Sequence, residues 1–147
     1  MTVFSSLIDA LLEEHHVLSL SVSLKGRHWA APLFYVLDAP RSRLLFVTDL
    51  ETIHGRMLLE TGAAAVTVSG QDSNIATLRG LQMWGRADKI PPQDIELASY
   101  VYNQAFVIPS HLKPIYWSFS PISIKATDNR KYFGYKEKWG NDLFIDG

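Results

Sequence analysis

Cysteine is absent from the 147 residues, which excludes disulfides, thiolate nucleophiles, cysteine-ligated zinc and iron–sulfur clusters, and suits a reducing cytoplasm. Net charge is nearly absent as well. At a formal −1 the chain lacks the concentrated positive face that a nucleic-acid binder needs, so no nucleic-acid partner is expected. No apolar run approaches membrane-spanning length, and Met1 is followed by Thr2-Val3-Phe4-Ser5-Ser6 without a basic segment, so neither a membrane span nor a signal peptide is expected. The histidines His15, His16, His28, His54 and His111 are scattered without a His-Glu-x-x-His pattern, so no metal site is expected. A Gly-x-Ser-x-Gly elbow and the glycine-rich loops of Rossmann or Walker type are missing too.

What is present is a hydrophobic fraction of 47% beside 20% charged residues, the balance of one globular domain over residues 1–147. Seven Phe, six Tyr and four Trp suit a packed β structure or a flat pocket that accepts aromatic ligands. Leu7, Ile8, Leu11 and Leu12 recur at helical spacing, and Ser6 with Asp9 resembles a capping box, which predicts a short amphipathic helix. Leu18, Leu20, Val22 and Leu24 then alternate with serines, the period of a strand with one apolar face. Lys25-Gly26 supplies a turn into Trp29–Leu37, whose nearly continuous apolar character predicts a strand buried on both faces. Pro32 inside it points to an edge, a bulge or a place where a ligand replaces a neighbouring strand.

Further strands are expected at Leu44–Val47, Ala63–Val68, Leu78–Ile90 and Trp117–Thr127, with Trp117, Phe119, Ile122 and Ile124 inward and Pro121 breaking the alternation. Helices are expected from Thr52 to before Gly62, and from Pro91-Pro92 to before Pro109. The tail from Asp128 to Gly147 is aromatic and charged. These elements describe a mainly β protein with flanking helices, its six antiparallel strands closing into a barrel.

One junction carries chemistry. Where the strand ending at Val47 runs into a helix start, Thr48, Thr52, His54 and Arg56 offer hydroxyl and cationic donors beside the open amides of the first turn, the ingredients of a phosphate seat. The same residues also satisfy the simpler description of a Thr52-capped helix with solvated His54 and Arg56.

The order of Ala30-Ala31-Pro32-Leu33-Phe34-Tyr35, Phe46-Val47-Thr48, Thr52-Ile53-His54-Gly55-Arg56 and Gln82-Met83-Trp84-Gly85-Arg86-Ala87 resembles the pyridoxamine 5′-phosphate oxidase-like FMN-binding split barrels. The tail through Trp117-Ser118-Phe119-Ser120-Pro121-Ile122, Thr127-Asp128-Asn129, Phe133-Gly134 and Trp139 resembles a bacterial branch of that family. The resemblance implies a split barrel that binds FMN as a homodimer. It sets the flavin ring against Pro32, Leu33, Phe34 and Tyr35, and the phosphate near Val47, Thr48, Thr52 and His54, with Arg56 as a compensating cation. Ile53 and His54 stand where Arg and Lys are common in the family, which implies weaker and more pH-sensitive FMN retention. Gln82 is expected either to reach a flavin edge or to be an ordinary barrel-surface side chain. Trp117, Lys136 and Trp139 are expected either to close the pocket across the dimer or to pack locally. The Arg-x-His pair with which the family grips pyridoxal phosphate has no match in the tail, so oxidation of pyridoxamine phosphate is not expected. The implied activity is that of a flavin-dependent reductase or oxidase using NAD(P)H or a small organic substrate. The alternative is a non-catalytic sensor or carrier of flavin or haem.

Overall fold

The computed structural model describes residues 1–141; the last six residues of the tail lie outside the described residues. The chain opens with α1 (Ser6–Glu14), whose Ile8, Leu11 and Leu12 share one face and are buried in the main core. Its cap is Ser5: the Ser5 hydroxyl accepts from the Ile8 N–H at 3.3 Å, and Ser6 is already helical, so the expected Ser6–Asp9 capping box does not form.

Strand β1 (Val17–Leu24) alternates as its serines demand, with Leu18, Leu20 and Val22 inward. Lys25 and Gly26 both take positive φ, 52° and 76°, the backbone twist that suits a tight antiparallel hairpin, and β2 (Arg27–Asp38) returns along β1. The expected burial of β2 on both faces is not found: Trp29 is 48% exposed and Phe34 57%. Only residues 35–38 of β2 pair with β3 (Arg43–Val47); along residues 27–34 the strand has β1 on one side and no strand among the described residues on the other. Of the three alternatives for Pro32 the structure therefore selects the edge. The Tyr35 N–H donates to the His16 carbonyl at 3.0 Å, and by the two-residue period of the ladder the nitrogen of Pro32, opposite Ser19, faces the open side. Burial on both faces belongs to β3 instead.

The remaining elements are α2 (Ile53–Thr61), β4 (Ala63–Ser69), β5 (Arg79–Lys89), α3 (Ile95–Asn103), β6 (Tyr116–Asp128) and β7 (Lys136–Gly140). The strand order is β3-β2-β1-β4-β5-β6-β7, and β3 pairs with β6 as well. Strands β1 to β6 thus close a six-stranded antiparallel barrel with helices outside, and β7 is a seventh strand that the sequence reading did not include. Leu44 and Phe46 point into the barrel, whereas Leu45 packs in a second, smaller cluster with Ala98 and Tyr102 of α3.

Opposite Gly85 the β6 register slips, leaving Ile122 as the extra residue between Pro121 and Ser123. The slip switches the buried set from Trp117 and Phe119 to Ile124 and Ala126, so Ile122, expected inward, is left out of the core. Glycine is required there: a Cβ on residue 85 would lie 2.2 Å from the Ser120 carbonyl oxygen. Trp117 is core, while Trp139 of β7 sits edge-on to Phe4 at 4.8 Å and donates to the Val3 carbonyl at 3.1 Å, holding the amino-terminal segment. Among the described residues no helix is long and apolar enough to cross a membrane.

Candidate functional site

At the junction of β3 and α2 the backbone needs a donor-rich turn, and Thr52 provides it. Its hydroxyl donates to the Asp49 carbonyl at 2.7 Å and accepts from the Gly55 N–H at 3.0 Å, capping α2, while Gly62 at φ 63° ends the helix. The Thr52 carbonyl takes the Arg56 N–H, so the first-turn amides left over are those of Ile53 and His54. Gly55 allows the turn to close this tightly; a Cβ there would stand 2.2 Å from the Asp49 carbonyl oxygen and 2.8 Å from the Thr52 hydroxyl.

Thr48 and His54 meet beneath this turn. The Thr48 hydroxyl and the imidazole Nε2 of His54 are hydrogen-bonded at 2.5 Å, with Thr52 Oγ1 3.4 Å from the same nitrogen, and both Thr48 and His54 are buried. Burial lowers the His54 pKa from the ordinary 6.5, so the folded chain holds a neutral imidazole. His54 is therefore a floor for the junction at neutral pH, in place of the titrating cation that the sequence suggested. Because the unfolded chain binds the proton first, this burial stabilises the fold fully above pH 6.5, and its contribution is lost as pH falls through the lower, folded-state pKa. Thermal unfolding from about pH 8 to about pH 5 should show a midpoint that falls below the imidazole range, and His54→Gln should lose that component of the fall. An identical acid profile in the variant would remove His54 as its source.

The other residues singled out by sequence separate into distinct places. Tyr35 is buried and its hydroxyl donates to the Leu12 carbonyl at 2.7 Å, so it belongs to the core; the same burial raises its pKa. Leu33 packs against that core from the inner face of β2, and Val47 packs beside the α3 cluster. Pro32 and Phe34 face outward, with Phe34 against Phe106 at 5.1 Å between ring centres. Gln82 is exposed on the outer sheet face, where strand pairing links Pro32, Ser19, Thr67, Gln82 and Lys125 in one cross-strand row. The structure therefore brings together Thr48, Thr52 and His54, leaves Pro32, Phe34 and Gln82 on the open sheet face, and withdraws Tyr35 into the core.

Arg56 goes elsewhere again. Ile53, Arg56, Met57 and Glu60 form one stripe of α2, whereas His54, Gly55 and Leu58 are the buried residues of that helix. The stripe and the β1–β2 hairpin, from Leu24 to Trp29, enclose an open cleft of about 810 Å³. Its cations Lys25 and Arg27 were missed because Lys25-Gly26 read only as a turn; the signal available was two basic residues flanking a glycine beside Trp29. Among the described residues no group of three or more His, Asp or Glu is placed to hold a metal ion.

No known family profile matches the chain. Among proteins of similar sequence, the UPF0306 protein YhbP of Escherichia coli O157:H7 (strain EC4115 / EHEC) is 33% identical over 132 residues, covering 90% of each chain. Among solved structures, a pyridoxamine 5′-phosphate oxidase-related, FMN-binding protein from Nostoc punctiforme superposes with a TM-score of 0.75 at 15% identity, over 97% of this chain and 93% of that one. A haem-binding protein from Mycobacterium smegmatis does so with a TM-score of 0.73 at 14% identity, over 95% of this chain but only 60% of its own length. At these identities the structural likeness establishes the split-barrel fold.

Proposed function

The chain belongs to the UPF0306 protein family and has the split-barrel fold of pyridoxamine 5′-phosphate oxidase-related proteins, and we propose that it binds a flavin, FMN, as a homodimeric oxidoreductase. The observation that carries this reading is the start of α2. The leftover amides of Ile53 and His54 and the partial positive charge of the helix end suit a phosphate, with Thr52 holding the turn and Thr48 with His54 supporting it from below. The ring would lie against the open outer half of β2, where Pro32 and Phe34 present apolar surface without a neighbouring strand. That solved relatives of this fold include an FMN-binding protein supports the same ligand. A bound flavin supplies the redox chemistry itself, accepting and returning electrons, so the chain's residues have only to hold it and to admit a substrate.

A haem carrier has less support. The superposed haem-binding protein speaks for it, but His54 is closed onto Thr48, the His28 ring is hydrogen-bonded to Ser23 at 2.8 Å, and the His15 ring to the Leu11 carbonyl at 2.9 Å. The purified protein, incubated with FMN and desalted, should retain the near-ultraviolet and blue bands of flavin and lose the blue band when NADPH is added without oxygen. A folded dimer that takes up no flavin overturns the proposal; a bound flavin that NADPH leaves oxidised removes the NADPH-dependent reductase part of it.

A further inference from the structure

The cleft between the β1–β2 hairpin and α2 is unused by the flavin reading, and its chemistry is specific. Lys25, Arg27 and Arg56 line it, against one carboxylate, Glu60, and none of the three has an ion-pair partner among the described residues. Three exposed cations against a single carboxylate give the cleft a net positive potential, which favours an anionic ligand. The hairpin fixes two of them. With Lys25 and Gly26 both at positive φ, the turn has a defined two-residue geometry, and the antiparallel ladder resumes at once with Leu24 opposite Arg27.

The rest of the lining is apolar and broad. Trp29 lies opposite Val22 on the inner face of the hairpin, beyond the packed core, and stays 48% exposed; Met57 and the 44% exposed Ile53 add the other wall. A half-open indole beside a cluster of guanidinium and ammonium groups is the combination that holds a flat aromatic group bearing phosphates. At about 810 Å³ the cleft is far larger than an inorganic anion requires.

We propose that this cleft is a second ligand site, separate from the start of α2, that takes a nucleoside 5′-diphosphate group, with the base on Trp29 and the phosphates on Lys25, Arg27 and Arg56. It does not depend on the flavin reading, because it uses the opposite side of α2 from His54 and Gly55. The group occurs both in free nucleotides and in dinucleotide cofactors.

Calorimetric titration of the full chain, with whatever flavin it carries, tests this with ADP, NADP⁺, adenosine and inorganic pyrophosphate as probes. ADP should bind at least tenfold more tightly than adenosine or pyrophosphate. The Arg27→Gln/Arg56→Gln double variant should weaken ADP at least thirtyfold, and Trp29→Ala should weaken ADP while leaving pyrophosphate unchanged. A tighter titration with NADP⁺ than with ADP, weakened by the same double variant, assigns the site to a dinucleotide, and the reverse to a free nucleotide. Because Arg27 and Arg56 are exposed, the unfolding curve of the double variant should superimpose on that of the parent chain, while Trp29→Ala, which removes a half-buried ring, is titrated where its own unfolding curve shows it fully folded. ADP affinity unchanged in the double variant, no binding of either nucleotide, or displacement of a bound flavin by ADP would each overturn the proposal.

Discussion

Gly55→Ala is expected to lower the unfolding free energy by about 2 kcal/mol and to weaken flavin uptake at least tenfold. Two effects oppose each other at this position. Alanine is a better helix former than glycine by about 1 kcal/mol, so an ordinary exposed site in the first turn would gain from the change. Here the new Cβ would stand 2.2 Å from the Asp49 carbonyl oxygen and 2.8 Å from the Thr52 hydroxyl, and the first of these is backbone with no rotamer to escape into. Relief requires residues 49–52 to move. That breaks the Thr52 bonds to Asp49 and Gly55 that define the helix start, and overpacking together with a lost cap outweighs the propensity gain by roughly 2 kcal/mol. The amides of Ile53 and His54 shift with them, which is why stability and ligand should fail together. Denaturant unfolding and a flavin titration of the same sample check it. A Gly55→Ala variant that is stabilised and takes up flavin normally would show that the turn is looser than its geometry implies.

Phe46→Ala should have the larger effect on the fold, a loss of about 4 kcal/mol, because a fully buried ring is deleted where neighbours cannot close in. Phe46 has no exposed surface, lies nearly parallel to Trp117 at 6.2 Å between ring centres, and occupies β3 where that strand pairs with β2 through Tyr35 and with β6 through Trp117. It is therefore at the seam that closes the barrel. Phe34→Ala makes the control: the same residue type, 57% exposed on the open half of β2, should cost less than about 1 kcal/mol. Equal midpoints for the two variants in urea would contradict the assignment of β3 as the doubly buried strand.

Much of this fold was legible wherever a local pattern and its tertiary use agree. The serine alternation of β1, the Thr52 and Gly62 ends of α2, and the Lys25-Gly26 turn all follow from backbone preferences that act within a few residues. Strand β2 was misjudged for a definite reason. A continuous apolar run has the same appearance whether both faces are covered or one edge is bare, and only the β3 register, which stops at Tyr35, decides between them. Strand β7 escaped notice because Lys136-Glu137-Lys138-Trp139-Gly140 carries three charges in five residues, and it becomes a strand by pairing with β6. The candidate site divides in the same way. Thr48, Thr52 and His54 are neighbours in sequence and meet in space, whereas Lys25, Arg27 and Arg56 converge only after the hairpin folds against α2.

The edge along residues 27–33, which no strand among the described residues covers, has a consequence for how the chain behaves in company. An exposed strand margin of this length would ordinarily recruit strands from other molecules and seed fibrillar stacking. Pro32 stands on that margin, and its nitrogen, turned outward, offers an incoming strand no hydrogen to bond. A single imino acid thus breaks the continuity that aggregation would need.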